Sequence, residues 1–177
     1  MEVYTVAFIG HRYLDDIFRV EAKLEAHIKE LLQSHEYVEF LVGRDGEFDQ
    51  AVASTVRRMK RVVGDCNSSL IWVLPYPTAE YENNVGSFHD YYDEVELCEE
   101  SSRAHFKSAI QIRNRSMMDR ADLVISFVNH KTGGAFAALQ YAMKQGKTII
   151  NLAEDTILWN NPNGRSSPRN RKRSSSI

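Results

Sequence analysis

The amino-acid sequence predicts an α/β fold of the Rossmann-like three-layer type, with a parallel sheet of about five strands and helices on both faces. Two observations lead to this prediction. Short apolar segments alternate along the chain with longer segments in which apolar residues recur at helical spacing. The short segments are apolar at consecutive positions, which is typical of strands buried on both faces of a parallel sheet.

The elements follow from this alternation in chain order. The predicted strands are residues 3–9, 37–42, 69–74, 122–128 and 148–152. A helix capped by Asp15 or Asp16 follows the first strand, and a second helix with a stripe from Val52 to Val63 follows the second strand. Helices at 104–120 and 134–145 precede the last two strands, and Gly146 is placed to end the second of them.

Residues 76–102 interrupt this regular alternation. Tyrosine and phenylalanine side chains lie there among many acidic residues, after the proline-rich segment 75–77. Excursions of this length are often lids or binding loops. The alternative is a short helix packed on the edge of the sheet, and the sequence leaves both open.

Composition separates an ordered domain, residues 1–159, from a basic tail, residues 160–177. The tail holds five positive residues and no acid, so the chain's net charge of −2 leaves about −7 on the domain. With almost nothing apolar to bury, the tail is predicted to be disordered. It is either a solvated terminus or a segment that binds nucleic acid or another polyanion.

The remaining composition predicts a cytoplasmic protein. No apolar run approaches the roughly 20 residues that span a bilayer, and the N-terminus reads as a strand and not as a signal peptide. Cys66 and Cys98 lie far apart without a Cys-x-x-Cys motif, as expected for reduced thiols. We expect no membrane partner.

Glycine-bearing turns follow the predicted strands and indicate a ligand site. Ligands of open parallel sheets bind beyond the carboxyl ends of the strands. The residues predicted to contact a ligand there are Gly10, His11, Arg12, Gly43, Gly46, Asp49, Arg113, Asn114, Thr132, Gly133 and Gly134. The order strand, Gly133-Gly134, helix directs free backbone N–H groups and the positive helix end at one point, which favours a phosphate.

Each polar candidate has a structural alternative. Arg12 either clamps a phosphate or forms a salt bridge with Asp15 or Asp16. His11 either contacts the ligand, with acid–base chemistry open to it, or only hydrogen-bonds its own loop. Arg12 ranks above His11 as a ligand contact.

Two further positions carry alternatives of the same kind. Arg113 and Asn114 lie on or near an inward-facing helical stripe, where they either support backbone carbonyls or face the ligand. We expect ligand contact for Arg113. Asp49 is either the N-cap of the second helix or an acceptor for ribose hydroxyls, and Glu47 is its rival in the second role.

Several catalytic signatures are absent from the sequence. It has no Gly-x-Gly-x-x-Gly, Walker A, Gly-x-Ser-x-Gly or His-Glu-x-x-His motif and no zinc-type spacing of cysteine and histidine. These absences disfavour a kinase, a classical dehydrogenase, a serine hydrolase and a metalloenzyme. No metal site is predicted, and the sequence identifies no catalytic residue.

Taken together, these motifs resemble the SLOG superfamily (Smf/DprA–LOG), specifically its YpsA-like branch, over residues 3–153. The motifs are Phe8-Ile-Gly-His-Arg12, Val42-Gly-Arg-Asp-Gly-Glu-Phe-Asp49, Leu74-Pro-Tyr-Pro77, Arg113-Asn114 followed by Met117, Ala121-Asp122, Thr132-Gly-Gly-Ala135 and Gly146-Lys-Thr-Ile-Ile-Asn-Leu152. The resemblance implies a Rossmann-like fold that binds a nucleotide or nucleotide-derived ligand, such as an NAD- or ADP-ribose-like molecule. No cofactor is required by this interpretation.

The resemblance also bears on catalysis, because LOG-type members of the superfamily are phosphoribohydrolases. Their pattern has an Arg-Lys pair ahead of a Met, followed by Gly-Gly-x-Gly-Thr-x-x-Glu. Here Phe136, Ala137 and Gln140 replace the third glycine, the threonine and the glutamate. A neutral glutamine cannot stabilise oxocarbenium character or activate water as a carboxylate does. The LOG reaction is therefore disfavoured, and binding without catalysis is expected.

Three functions follow from the sequence. The first is a nucleotide-binding sensor or processing module, and the second is a nucleotide N-glycosidase or related hydrolase. The third is a DNA-binding protein related to the Smf/DprA side of the superfamily, although the domain is acidic and nucleic acid is expected to contact only the tail. An apolar helix face is also compatible with a homo-oligomer.

Overall fold

The computed structural model describes residues 1–154 and 156–158. The helices are α1 (Ile17–Ser34), α2 (Glu47–Val63), α3 (Ala79–Asn83), α4 (Val85–Tyr91), α5 (Glu99–Ser102), α6 (Phe106–Arg120) and α7 (Gly133–Lys144). The strands are β1 (Val3–Gly10), β2 (Tyr37–Val42), β3 (Ser68–Leu74), β4 (Glu94–Leu97), β5 (Leu123–Phe127), β6 (Thr148–Asn151) and β7 (Thr156–Leu158). The basic tail and its predicted disorder lie outside the described residues.

The strands form one sheet in the order β4-β3-β2-β1-β5-β6-β7. All neighbouring pairs are parallel except β6 and β7, which are antiparallel. The chain moves outward from β1 to β4 on one side, and then returns to place β5 on the other side of β1. The order therefore reverses between β1 and β5, and this switch point is where ligands of such sheets bind.

Helices cover both faces of the sheet, which confirms the predicted three-layer architecture. One apolar core packs α1, α2 and α4 against one face through residues such as Phe8, Phe40 and Leu70. The other core packs α6 and α7 against the opposite face through residues such as Ala7 and Leu41. Alternate residues of each strand thus enter different cores, as the period of two in a strand requires.

The 76–102 excursion contains two short helices, an edge strand and one further helical turn. Of the two alternatives from the sequence, short helical structure at the sheet edge describes it better than an irregular lid. Phe88 and Tyr92 are buried in the first core, where both rings pack against Trp72. The segment also supplies β4, which hydrogen-bonds to β3 in parallel register.

The sheet is larger than the predicted set of about five strands. The sixth parallel strand, β4, comes from the excursion, and the antiparallel strand β7 follows β6 along the chain. Within the part of the chain that the structure describes, no helix is both long and apolar enough to cross a membrane.

Candidate functional site

A polar cavity of about 320 Å³ opens at the switch point between β1 and β5. Four segments meet there: the loop after β1, the loop between β2 and α2, one face of α6, and the loop between β5 and α7. The polar and glycine residues that line the cavity are Gly10, His11, Arg12, Tyr13, Asp45, Asp49, Asn114, His130, Thr132, Gly133 and Gly134. Parallel strands bring these segments together because their carboxyl ends meet at one edge of the sheet.

Eight of the eleven residues predicted from the sequence line this cavity, whereas Gly43, Gly46 and Arg113 do not. Gly46 is a packing residue, because a Cβ atom there would overlap the Arg12 backbone. Gly10 similarly leaves room for the Phe48 ring. A Cβ atom at Gly43 would lie 2.9 Å from Asp49 Oδ2. These glycines hold the walls of the cavity close together.

The N-terminus of α7 forms one wall of the cavity. Thr132 is the N-cap residue, but its side chain makes no capping hydrogen bond to the helix. Gly133 has a φ of +88°, a conformation that residues with a Cβ atom rarely adopt, and a Cβ atom at Gly134 would meet no atom within 4 Å. This 12-residue helix therefore begins with no side-chain cap on its first N–H groups and with open space beside two glycines.

Asn114 adds a second donor at the same wall. The residue is buried, with 4% of its surface exposed, and its Oδ1 accepts a hydrogen bond of 2.9 Å from Arg113 Nε. Among the described residues, its Nδ2 has no hydrogen-bond partner, although Asn114 lines the cavity. An amide donor of a buried side chain costs free energy unless a ligand or water accepts its hydrogen bond.

Arg113 supports the site from behind. It is almost fully buried, its Nη1 donates to the carbonyl oxygen of Val73 over 2.7 Å, and its Nη2 donates to the Asp45 carboxylate. These contacts correspond to the carbonyl-supporting alternative from the sequence. The expected direct contact between Arg113 and a ligand is not favoured by this geometry, since three of its donor directions already have protein partners.

Asp49 lies in the first turn of α2, but it is not the N-cap that the sequence offered as one alternative. Gly46 is the N-cap residue, and Asp49 Oδ2 instead accepts a hydrogen bond of 2.9 Å from the backbone N–H of Asp45. Burial raises the pKa of Asp49 to about 6, against the opposing effects of this hydrogen bond and of Arg113. Near neutral pH it therefore exists in both protonation states.

Glu47, the rival of Asp49, does not line the cavity. Its backbone N–H donates to the carbonyl oxygen of Arg12 over 2.8 Å, and its carboxylate accepts from the backbone N–H of Leu14 over 2.7 Å. Glu47 thus joins the loop after β1 to the start of α2.

Arg12 itself is exposed and lines the cavity. No ion pair joins it to Asp15 or Asp16 among the described contacts.

Two stacked imidazole rings form the floor of the cavity near β5. The His11 and His130 ring centroids lie 3.5 Å apart, with the planes inclined by 8°. The backbone N–H of His130 donates to His11 Nε2 over 3.4 Å, so the ring proton of neutral His11 is assigned to Nδ1. Burial, together with the neighbouring His130, lowers the pKa of His11. The charged form of His11 is therefore less favoured than that of a free imidazole.

Sequence reasoning missed six residues of the cavity wall: Ile9, Tyr13, Asp45, Ile110, His130 and Ala135. Two of them had a usable signal. Asp45 lies inside the glycine turn 43–46, and His130 lies in the loop before Gly133. Ile110 had a weaker signal, because it precedes Asn114 by one helical turn on the same face of α6.

Gln140 is exposed on α7 and does not line the cavity. Phe136, one turn earlier, is partly buried against the second core. Gln140 stands at the position of the LOG carboxylate. Its side chain is neutral, and it does not line the cavity. In the described residues, no group of three or more histidine, cysteine or acidic side chains is arranged to hold a metal ion.

A doubly wound parallel sheet with a polar cavity at its switch point defines a Rossmann-like α/β protein. No family model and no curated protein matches the sequence. Several solved structures share the fold. DNA processing protein A (DprA) from Streptococcus pneumoniae superimposes with a TM-score of 0.61 at 17% identity, covering 83% of this chain and 49% of DprA.

The second structure is DNA processing protein A from Helicobacter pylori, a protein with a unique mode of binding single-stranded DNA. Its TM-score is 0.58 at 16% identity, covering 82% of this chain and 63% of that protein. This chain therefore spans between about half and two thirds of these two proteins. The likeness to these two structures shows a shared fold.

Proposed function

We propose that this chain binds a nucleotide or a nucleotide-derived ligand in the switch-point cavity. The observation that carries the proposal is the Nδ2 donor of the buried Asn114 side chain, which has no partner among the described residues and lies beside the uncapped N-terminus of α7. Both groups belong to residues that line the same cavity, and a phosphate accepts several hydrogen bonds at once.

The opposite wall supports a sugar beside the phosphate. Asp49 and Asp45 both line the cavity and offer carboxylate oxygens, which accept hydrogen bonds from ribose hydroxyl groups. The volume of about 320 Å³ is at the small end of the range for small-molecule sites, roughly 300–1,000 Å³. This combination of donors and acceptors suits a nucleotide better than a simple inorganic anion.

The finer ligand class rests on the sequence resemblance. We assign the chain to the YpsA-like branch of the superfamily and propose an NAD- or ADP-ribose-like ligand, bound by a sensor or processing module. In this proposal the role requires no further cofactor.

Single-stranded DNA is the second candidate, and the similar structures favour it. The Helicobacter pylori protein that shares this fold binds single-stranded DNA. A nucleotide of single-stranded DNA offers the cavity the same phosphate group, although deoxyribose has no 2′-hydroxyl for Asp49 to recognise. Binding of nucleic acid depends on salt much more steeply than binding of a small nucleotide, because counterions are released from the strand.

The enzymatic alternative has less support in this geometry. A nucleotide N-glycosidase of the LOG type needs a carboxylate where this chain has Gln140, which is exposed outside the cavity. We therefore propose binding without release of the base.

The test uses Asn114→Asp, which keeps an oxygen to accept from Arg113 Nε but replaces the Nδ2 donor with a second, anionic oxygen. Calorimetry with ADP-ribose, NAD, AMP and a thymidine oligonucleotide would measure the binding of wild type and variant. We expect wild-type binding and its loss in the variant. Asn83→Asp, an exposed position on α3, adds the same charge as a control. Failure of every ligand to bind wild type would refute the proposal.

A further inference from the structure

A second cavity, of about 570 Å³, lies on the other side of the loop between β2 and α2. Its walls come from α1, α2 and α4, together with Arg44 of the loop. The side chains that decide its chemistry are Glu21, Arg44, Gln50, Ser87, Phe88, Tyr91 and Tyr92. The cavity combines aromatic rings with a guanidinium group and with amide and hydroxyl groups, which is the composition of sites that bind planar heterocycles.

Arg44 presents a flat guanidinium surface at this cavity. Its Cζ lies 5.1 Å from the centroid of the Phe88 ring and 5.9 Å from that of Trp72. A hydrogen bond of 3.2 Å to Glu80 Oε1 holds the group in place, and 31% of the side chain stays exposed. One face of the guanidinium rests on aromatic rings, so the other can stack on a planar ring of a ligand.

Polar groups at the rim suit the edge of a nucleobase. Gln50 and Ser87 are exposed, line the cavity, and make no side-chain hydrogen bond to any described residue. An amide and a hydroxyl each both donate and accept hydrogen bonds, as the edges of bases do. Tyr91, half-buried with Arg57 Cζ 4.0 Å from its ring centroid, provides a further aromatic wall.

The two cavities share one short stretch of chain. Asp45 lines the switch-point cavity and its neighbour Arg44 lines the second cavity, and the same division holds for Asp49 and Gln50. The two cavities are therefore neighbours, on either side of the same loop and the same first turn of α2. A ligand with two nucleotide units is the kind of molecule that contacts both.

We propose that the second cavity binds a nucleobase of the same ligand whose phosphate occupies the switch-point cavity, an inference that rests on the proposed function. The ligand is then a molecule with two nucleotide units joined through phosphate. A dinucleotide such as NAD and a stretch of single-stranded DNA share this chemistry, and the experiment separates them.

The experiment compares ligands of one and two units on the full chain. The chain has two tryptophans, Trp72 and Trp159, so Trp159→Phe leaves Trp72, beneath Arg44, as the only tryptophan reporter. NAD is paired with AMP, and a short thymidine oligonucleotide with thymidine monophosphate. We expect the two-unit member of one pair to bind about tenfold more tightly, as stacking of one extra base implies, and to change Trp72 emission.

Two variants test the second cavity directly. Gln50→Ala, at an exposed position, and Tyr91→Ala should each remove most of the preference for the two-unit ligand and leave the affinity for AMP unchanged. Gln33→Ala, an exposed glutamine at the far end of α1, is the control for Gln50→Ala and should retain the preference.

Three outcomes would overturn the inference. Equal affinity for one- and two-unit ligands in both pairs would refute it and leave the proposed function standing. A preference that survives both Gln50→Ala and Tyr91→Ala would place the second unit elsewhere, with the same consequence. If none of the four ligands binds, both the proposed function and this inference are refuted.

Discussion

At the scale of single residues, the buried Asp49 and Arg113 and the partly exposed Asp45 determine the charge of the candidate site. Arg113 pairs with Asp45, and Asp49 receives the backbone N–H of Asp45 instead of a cation. The charge of the Asp45 carboxylate is thus compensated by an ion pair. The charge of the Asp49 carboxylate is compensated only partly, by a hydrogen bond. The cost of ionising Asp49 is the reason that its pKa lies near 6.

The first prediction concerns the pH dependence of stability. A carboxyl group whose pKa is raised on folding, here from 3.8 to about 6, destabilises the folded protein when ionised, and this cost disappears as the pH falls through that window. Asp49→Asn should therefore be more stable than wild type at pH 8, by about 2–3 kcal/mol at most. The difference should shrink toward pH 4.

Chemical denaturation of both proteins across this pH range measures the difference. Histidine titrations act equally on wild type and variant and cancel. Glu47→Gln removes an exposed carboxylate from the same helical turn and serves as the control. A difference between Asp49→Asn and wild type that stays constant from pH 4 to pH 8 would contradict the prediction.

The second prediction separates the two arginines. Arg113→Met should lower the free energy of unfolding by about 1–3 kcal/mol, because it removes the donor to the buried carbonyl oxygen of Val73 and the ion-pair partner of the partly exposed Asp45. Arg12→Ala should instead weaken nucleotide binding by about 1.5–3 kcal/mol with little change in stability, as for a charge-assisted hydrogen bond. Arg12 is exposed at the cavity, and the variant keeps the carbonyl group that accepts from Glu47.

Denaturation and calorimetry on the two variants give the result directly. The opposite pattern, in which Arg113→Met folds with wild-type stability while Arg12→Ala unfolds, would show that the assignments are reversed.

At the scale of elements, the N-terminus of α7 is the part of the site with the most room. Its two glycines face open space, whereas Gly10 and Gly46 are enclosed by a ring and a backbone segment. The same residue type therefore has two functions in this fold: close packing of loops in the first half of the chain, and an open cradle in the second half.

The third prediction tests this cradle. Gly134→Asp should abolish binding of AMP while the protein stays folded, because the new carboxylate would project into open space where an anion is expected. Gly86→Asp places the same side chain at an unobstructed helical position in α4 and should bind AMP normally. Unchanged affinity in a folded Gly134→Asp protein would refute the prediction.

The sequence predicted the elements that bury a full face or stripe and missed those that do not. The five strands predicted from consecutive apolar residues all exist, because each lies in the interior of the sheet. The edge strand β4, Glu94–Leu97, escaped because two of its four residues are glutamates and only partial burial accompanies its pairing with β3. The pairing of an edge strand depends on tertiary contact more than on residue type.

At the scale of the whole molecule, strand order brings separate turns into one site. The principle that ligands bind at strand ends was enough to predict eight of the residues that line the cavity. The orientation of individual side chains was not predictable, since the direction of Arg113 depends on the carbonyl of Val73, forty residues away in sequence. The stacking of His11 on His130 likewise exists only because β1 and β5 are neighbours.

The fourth prediction concerns the activity of the whole protein. Wild-type protein should release no free base from nucleoside monophosphates, because this chain has the neutral Gln140 at the position where the LOG pattern has a glutamate. Chromatography of the reaction mixture measures this directly. Base release that rises with protein concentration and disappears in Asn114→Asp would overturn it, and Asp49 would then be the first acid to test as the catalytic group.

The position of β1 at the centre of the sheet has a consequence for folding. β1, β2 and β3 are close in sequence, but β1 must also pair with β5, whose residues follow more than a hundred positions later. Contacts of such long range are slow to form, so the seam between β1 and β5 is expected to close late. A ligand that contacts residues next to both β1 and β5 binds only the fully folded protein. Its binding therefore stabilises the protein against unfolding.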